Sequence, residues 1–130
     1  MTRTRTLFRL LAALALVGCN GGLASDEAAL VTTCRDFCQA NIDACEPSEL
    51  FSGGSRDGCA SLCQRVTDEN RWAGCTNEWA AAIECSSAGD PCDWQTRCDI
   101  ERGAALSCIE EYCAANPDDC ELGRPTAPSP

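Results

Sequence analysis

Cysteine is the residue type that offers this chain the most chemistry, since 13 of its 130 residues are cysteine. Cysteine can bind a metal, exchange electrons as a thiol or form disulfides. Structural zinc sites usually need Cys-x2-Cys knuckles or histidine, and redox catalysis usually needs an activated Cys-x2-Cys pair. The sequence has neither that spacing nor any histidine. Disulfides are therefore the predicted use, and an extracytoplasmic metal-binding or thiol-redox protein is the alternative.

The charged residues argue against catalysis and against nucleic-acid binding. Histidine and lysine are both absent, so Ser-His, Cys-His and lysine-based hydrolysis have no general base. The acid pairs Glu110-Glu111 and Asp118-Asp119 are adjacent in sequence, and neither belongs to a calcium-loop pattern. Twenty acids against ten arginines give a charge of −10, with no basic cluster for phosphates. We predict no catalytic residue, no metal site, no cofactor and no nucleic-acid partner, and hence no enzyme.

The first 18 residues have the pattern of a secretory signal peptide. Arg3, Arg5 and Arg9 precede an unbroken apolar run from Leu10 to Val17. That run is too short for a stable membrane-spanning helix, which needs about 20 residues. The pattern predicts export, and an exported chain enters a compartment that permits disulfides.

The segment Leu16-Val17-Gly18-Cys19 resembles the lipobox of bacterial lipoproteins. The resemblance implies cleavage before Cys19, a diacylglyceryl group on its sulfur and an anchor in a membrane. An ordinary signal peptidase cut after Ala24 is the alternative. Residue 20 is Asn, whereas Asp at that position often retains such lipoproteins in the inner membrane, so the outer membrane is the expected location in the cell envelope.

The mature chain divides into a tether (19–27), a cysteine-rich domain (28–120) and a Pro-rich tail (121–130) that we expect to be disordered. Loss of the leader leaves seven arginines against 20 acids, a charge of −13. Leu, Ile, Val and Phe make up only about 13% of the domain, a fraction typical of disordered chains. Disulfides are therefore a predicted condition of folding.

Helical spacing organises the domain. Apolar residues and cysteines recur at steps of three and four residues in four stretches, and alternating strand patterns are absent. The four predicted helices centre on 30–45, 59–66 (with Asp57 as N-cap), 72–83 and 105–112. Asp90-Pro91 is an alternative, earlier start for the fourth helix, and Gly103 argues against one continuous helix from there. The predicted fold class is all-α, a small disulfide-stapled helical bundle.

Twelve cysteines fall within the domain and are the predicted disulfide set: Cys34, Cys38, Cys45, Cys59, Cys63, Cys75, Cys85, Cys92, Cys98, Cys108, Cys113 and Cys120. Two arrangements suit the first hairpin, Cys34–Cys63 with Cys38–Cys59 or Cys38–Cys63 with Cys45–Cys59. The second is preferred for a turn centred near Phe51. Cys75-x9-Cys85 and Cys98-x9-Cys108 form a second hairpin spacing, and Cys92–Cys98 and Cys113–Cys120 are predicted local links. The spacing looks like that of coiled-coil-helix hairpin proteins, and no function is carried over from them.

The three tryptophans receive different predictions. Trp72 and Trp79 are seven residues apart, so we expect them to share a helix face that packs in the core. Trp94 lies in a short segment between two cysteines and is the candidate for an exposed contact.

The lipobox, short tether, Cys-x3-Cys pairs, Trp-containing third helix and Pro-rich tail together are similar to cysteine-rich lipoproteins of myxobacteria and relatives. That group carries no established activity to transfer. The functional hypothesis is a non-catalytic structural or interaction module of the cell envelope, held at the membrane through Cys19. Its expected partner is a protein or glycan of unknown identity.

Overall fold

The computed structural model describes residues 26–45 and 58–128, which form five helices and one short hairpin. The predicted all-α, disulfide-rich class is confirmed. The signal peptide, the lipobox with Cys19, the proposed cap Asp57 and the turn near Phe51 lie outside the described residues. In the described parts of the chain, no helix combines the length and the apolar character needed to cross a membrane. The helices are α1 Glu27–Ala44, α2 Gly58–Trp72, α3 Thr76–Ser87, α4 Trp94–Arg97 and α5 Asp99–Ala115.

Helix α1 starts where an aspartate caps it. The Asp26 carboxylate accepts a hydrogen bond from the Ala29 amide at 3.0 Å, which satisfies one of the free N–H groups of the first turn. Residues 26 and 27 therefore belong to the helix and not to the expected tether. The buried stripe that follows has the predicted helical spacing, and its members are Leu30, Cys34, Phe37, Cys38 and Asn41.

A glycine separates α2 from α3. Gly74 has φ +72°, its amide donates to the Arg71 carbonyl at 3.0 Å, and the Cys75 amide donates to the Asn70 carbonyl at 2.7 Å. These bonds are the two of a Schellman motif, which ends a helix with a left-handed residue. The expectation of one helix running from Trp72 to Ile83 is wrong, and so is a shared helix face for Trp72 and Trp79.

Two glycines provide a matched test of this architecture. Gly74→Ala is expected to destabilise the fold by about 1 kcal/mol, because alanine does not readily adopt positive φ. Gly103→Ala is expected to stabilise it by about 0.5–1 kcal/mol, because Gly103 lies inside α5 and an added Cβ meets open space. Denaturant unfolding measures both changes. Equal effects of the same sign would contradict this interpretation.

Helix α5 is continuous through Gly103, and it begins at Asp99, not at Asp90-Pro91. The turn before it is held by Arg97, whose guanidinium donates to the carbonyls of Cys85 and Asp90 and pairs with Asp93 at 3.1 Å. This arginine fixes the chain at the carboxyl end of α3, so that α4 forms a separate single turn.

The four longer helices form a bundle with one side unclosed. Helix α1 packs on α2 and α3, and α3 packs in turn on α5. Helices α2 and α5 have little direct packing between them. We call this gap the α2/α5 seam; it lies between Val66 and Asn70 on α2 and Ala105 and Ile109 on α5.

All twelve cysteines of the domain are paired. The first hairpin has Cys34–Cys63 with Cys38–Cys59, so the preferred alternative is wrong. The predicted link Cys92–Cys98 is also wrong, whereas Cys113–Cys120 is confirmed. Cys45 instead reaches Cys92, because the Asn41 amide donates to the Pro91 carbonyl at 2.7 Å and holds that turn against the end of α1. The second hairpin spacing is closed by Cys75–Cys108 and Cys85–Cys98.

The C-terminal segment differs from the expected disordered tail as far as residue 128. A 3-10 turn at Pro117–Asp119 leads into β1 (Cys120–Glu121), which pairs antiparallel with β2 (Arg124–Pro125). Arg124 donates to both oxygens of Glu69 on α2, at 2.8 and 3.1 Å, and Pro125 is buried. This ion pair, in which the single nitrogen Nη2 of Arg124 donates to both carboxylate oxygens of a residue 55 positions away, is the physical reason that this segment is held in place.

Candidate functional site

The α2/α5 seam is the candidate site, because both of its walls present side chains at helical spacing. Leu62, Val66 and Asn70 recur every four residues along α2. Arg102 and Ala105, with residue 109 one turn further on, line the facing side of α5. Residues three and four apart share one helix face, so each wall is a continuous stripe.

Helix α3 forms the floor of the seam. Trp79 and Ala82 line it, and the indole Nε1 of Trp79 donates to the hydroxyl of Thr67 on α2 at 3.1 Å. Thr67 is itself buried. This hydrogen bond ties α3 to α2 and fixes the orientation of the Trp79 ring, which remains partly exposed toward the seam.

Trp94 closes the floor, and the prediction that it is an exposed contact is wrong. Only 9% of its surface is exposed. Its ring meets Phe37 of α1 edge to face, with centroids 5.4 Å apart and planes at 73°. The Arg102 guanidinium covers the ring at 4.7 Å from the centroid. The single turn of α4, anchored by Cys85–Cys98, directs this indole into the bundle.

A cavity of about 250 Å³ lies in the seam, and a second cavity of about 260 Å³ adjoins it and extends to Cys34 and Phe37 of α1. Each is well above the volume of about 150 Å³ in which an engineered apolar cavity holds benzene. Their walls are mainly apolar, and among the described residues no carboxylate lines either cavity. Five residues line both cavities: Val66, Trp79, Ala82, Trp94 and Arg102.

Asn70 provides the unusual polar feature of the seam. Its Nδ2 donates to the Val66 carbonyl at 2.9 Å, one turn back along α2. Its Oδ1 is buried and has no hydrogen-bond donor among the described residues. Buried acceptors without a partner are rare and costly. This oxygen is enclosed by protein atoms and presents almost no surface to the seam.

Arg102 is the charged residue that lines both cavities, and protein groups already engage it. Beyond its contact with Trp94, it donates to the Gln95 carbonyl at 3.0 Å and approaches Asp99 at 4.0 Å. About 30% of its side chain is exposed. Arg102 thus covers one face of the Trp94 ring at the edge of the seam.

The arrangement is suited to binding. Cys34 lines one of the cavities, and its sulfur is in a disulfide with Cys63. Within residues 26–45 and 58–128, no group of three or more histidine, cysteine or acidic residues is arranged to hold a metal ion. All twelve cysteines that the sequence assigned to disulfides occupy that role.

Sequence reasoning missed Asn70, Thr67 and Arg102. The stripe on α2 was visible only as Leu62 and Val66, because an asparagine four residues later interrupts the apolar pattern. Arg102 lies before the predicted helical stretch 105–112 and next to Gly103, so the spacing assigns it to no helix face. No local sequence pattern marks any of these three residues as part of one site.

Comparison of the chain with protein-family models, with curated proteins and with solved structures finds no match.

Proposed function

We propose that this protein is a lipid-anchored, non-catalytic interaction module of the cell envelope, attached through Cys19 and located at the outer membrane. The observation that supports it is the cysteine pairing. The six disulfides use all twelve cysteines of the domain, and the thirteenth cysteine of the sequence, Cys19, is the one in the lipobox. A lipidated sulfur accounts for that odd cysteine.

The start of α1 indicates which end of the bundle faces the anchor. Glu27 pairs with Arg71 at 3.1 Å, so the first helical turn lies beside the end of α2. Seven residues, 19–25, connect Cys19 to the capping Asp26, and they span at most about 25 Å. The membrane-proximal end then carries Arg71 and the C-terminal hairpin, and the opposite end carries the Cys45–Cys92 disulfide.

A rigid body on a short anchor is suited to presenting a surface to a partner. Five of the six disulfides join different helices or the turns between them, which restricts the motion of one helix against another. The metal-binding alternative has no observation in its favour, because it requires thiolates and the cysteines of the described residues are paired. The thiol-redox alternative lacks the Cys-x2-Cys pair that such catalysis usually uses.

Substitution of Cys19 tests the anchor. Cys19→Ser is expected to move the protein from the membrane fraction to the soluble fraction of the envelope and to abolish incorporation of radiolabelled palmitate. The matched control is the double variant Cys113→Ser/Cys120→Ser, which removes two cysteines outside the lipobox and should keep both the label and the membrane location. Mass spectrometry of the mature N-terminus completes the measurement. An unmodified N-terminus at Ser25 would refute the proposal.

The interaction role has its own readout in the same cells. Chemical crosslinking of the anchored wild-type protein in intact envelopes should yield a reproducible adduct with a protein or glycan. Absence of any adduct under conditions that crosslink a known envelope complex would count against an interaction role.

A further inference from the structure

We infer that Leu122, at the tip of the C-terminal hairpin, is a membrane contact that enters the surface of a zwitterionic lipid bilayer. This contact depends on the proposed anchor at Cys19, because the anchor is what brings a bilayer within reach of the hairpin. Three observations support it: the exposure and backbone conformation of Leu122, the bonds that hold the hairpin, and the end of the bundle at which the hairpin lies.

Leu122 is a residue whose presence neither the turn nor the core explains. Its side chain is 96% exposed, so it contributes almost nothing to packing. Its φ is +52°, and that of Gly123 after it is +75°. Two positive φ values in a two-residue loop are those of a type I′ turn, which favours Asn, Asp or Gly at the first position. A leucine that the backbone disfavours and the fold does not use points to a contact outside the fold.

The base of the hairpin is held in place, so the tip is presented in a fixed position. Arg124 donates to both carboxylate oxygens of Glu69 on α2, and the next residue, Pro125, is buried. The disulfide Cys113–Cys120 ties the first strand of the hairpin to α5. Little conformational freedom therefore remains to be lost when the tip meets a surface, which favours binding.

The hairpin lies at the end of the bundle to which the proposed anchor is attached. It contacts α2 at Glu69, and two residues further along α2 the guanidinium of Arg71 pairs with the first turn of α1 at 3.1 Å. Residues 19–25, which precede the cap of α1, span at most about 25 Å. A lipid on Cys19 would therefore keep this end of the bundle, and the hairpin with it, close to the bilayer surface.

The charges near the tip select the kind of bilayer. Glu121 is the neighbour of Leu122 in the hairpin, Asp118 and Asp119 lie just before it, and all three acids are exposed. The mature chain as a whole carries a charge of −13. An anionic lipid surface would repel such a tip, whereas zwitterionic head groups carry no net charge. The expected partner is therefore a bilayer surface of zwitterionic phospholipid.

Binding of the mature chain to phosphatidylcholine vesicles tests the contact. The chain from residue 19 is exported behind a signal peptide without a lipobox, and one alkyl group is attached with N-hexadecylmaleimide. Because the twelve cysteines of the domain are paired, the reagent is directed to Cys19. A single alkyl chain gives only marginal, reversible membrane binding, so the contribution of one leucine becomes measurable. Co-sedimentation with the vesicles gives the dissociation constant.

Leu122→Asn is expected to weaken vesicle binding about tenfold, a factor that corresponds to about 1.4 kcal/mol and is close to what burial of a leucine contributes. The variant should melt no lower than the wild type, because Asn adopts positive φ more readily than leucine. Thermal unfolding thus separates loss of contact from loss of fold. The matched control is Ile100→Asn, which removes an apolar side chain that is 83% exposed at the start of α5, at the opposite end of the bundle. It should bind as the wild type does.

Four results would overturn the inference. They are equal binding of the wild type and Leu122→Asn, equal weakening by Leu122→Asn and Ile100→Asn, and tighter binding to anionic phosphatidylglycerol vesicles that Leu122→Asn leaves unchanged. The fourth is a wild-type dimer, seen by sedimentation without vesicles, that Leu122→Asn dissociates, because a second copy would then cover the tip. The supplied alkyl chain separates the two proposals: mass spectrometry of the native N-terminus tests the anchor, and vesicle binding tests the contact.

Discussion

Reduction of the disulfides is expected to abolish the helical structure without any added denaturant. Among the described residues, half of the twelve buried hydrophobic side chains are half-cystines: Cys34, Cys38, Cys59, Cys63, Cys75 and Cys98. The remaining six include two alanines, which bury little surface. Breaking the bridges therefore removes both the restriction on the unfolded chain and the groups about which the core is packed.

The expected magnitude exceeds the stability of an ordinary domain. One bridge typically contributes about 2–4 kcal/mol, and a domain is stable by about 5–15 kcal/mol in total. The bridges here close segments whose ends are 7 to 47 residues apart, so several of them restrict long loops. Even partial additivity leaves the reduced chain unfolded.

Far-ultraviolet circular dichroism in the presence and absence of a phosphine reductant measures this loss. The control is the same sample reoxidised in a glutathione buffer, which should recover the helical signal. A reduced chain that keeps its helicity and still melts cooperatively would show that the apolar core is sufficient without the bridges.

In the first hairpin, helical spacing alone predicts that the two helices are linked but does not decide which cysteines pair. Cysteines four residues apart on α1 and α2 indicated two stitched helices, and that much is confirmed. Both candidate registers satisfied the spacing. The choice between them depends on the partner of Cys45, which is Cys92. That partner is set by the packing of a turn 47 residues away, and no local pattern encodes it.

A glycine in a helical pattern can either lie inside the helix or end it, and this chain contains both cases. Gly103 raised a doubt about α5, yet the helix continues through it because helix interiors tolerate glycine at a modest cost. Gly74 received no weight, yet it ends α2. The C-terminal glycine rule could have identified Gly74, because it follows a helical stretch that ends in Arg71-Trp72.

The seam depends on relations between distant segments, and sequence reasoning did not reach it. Thr67 and Asn70 lie on α2 and Arg102 lies on α5, and the packing of α3 between these two walls brings them together. The ion pair of Glu69 and Arg124 likewise joins two residues that are far apart in sequence. Composition predicted disorder for the segment of Arg124, since an individual ion pair leaves no compositional trace.

Trp94→Ala is expected to be the most destabilising single substitution of a residue other than cysteine, at about 3–5 kcal/mol. The indole is 9% exposed and contacts Phe37 on one side and Arg102 on another. Truncation removes this aromatic pair and the cation–π contact, and it merges new space with cavities that are already large. Collapse around the site is limited, because Cys85–Cys98 anchors α4.

Thermal unfolding of the oxidised protein measures this prediction, with Trp72→Ala as the matched control. Trp72 ends α2 and is only half-buried, so its truncation should cost clearly less than that of Trp94. The double variant Trp94→Ala/Phe37→Ala should be less destabilised than the sum of the two single variants, because the rings contact each other. If Trp94→Ala unfolds no more readily than Trp72→Ala, the indole does not support the core.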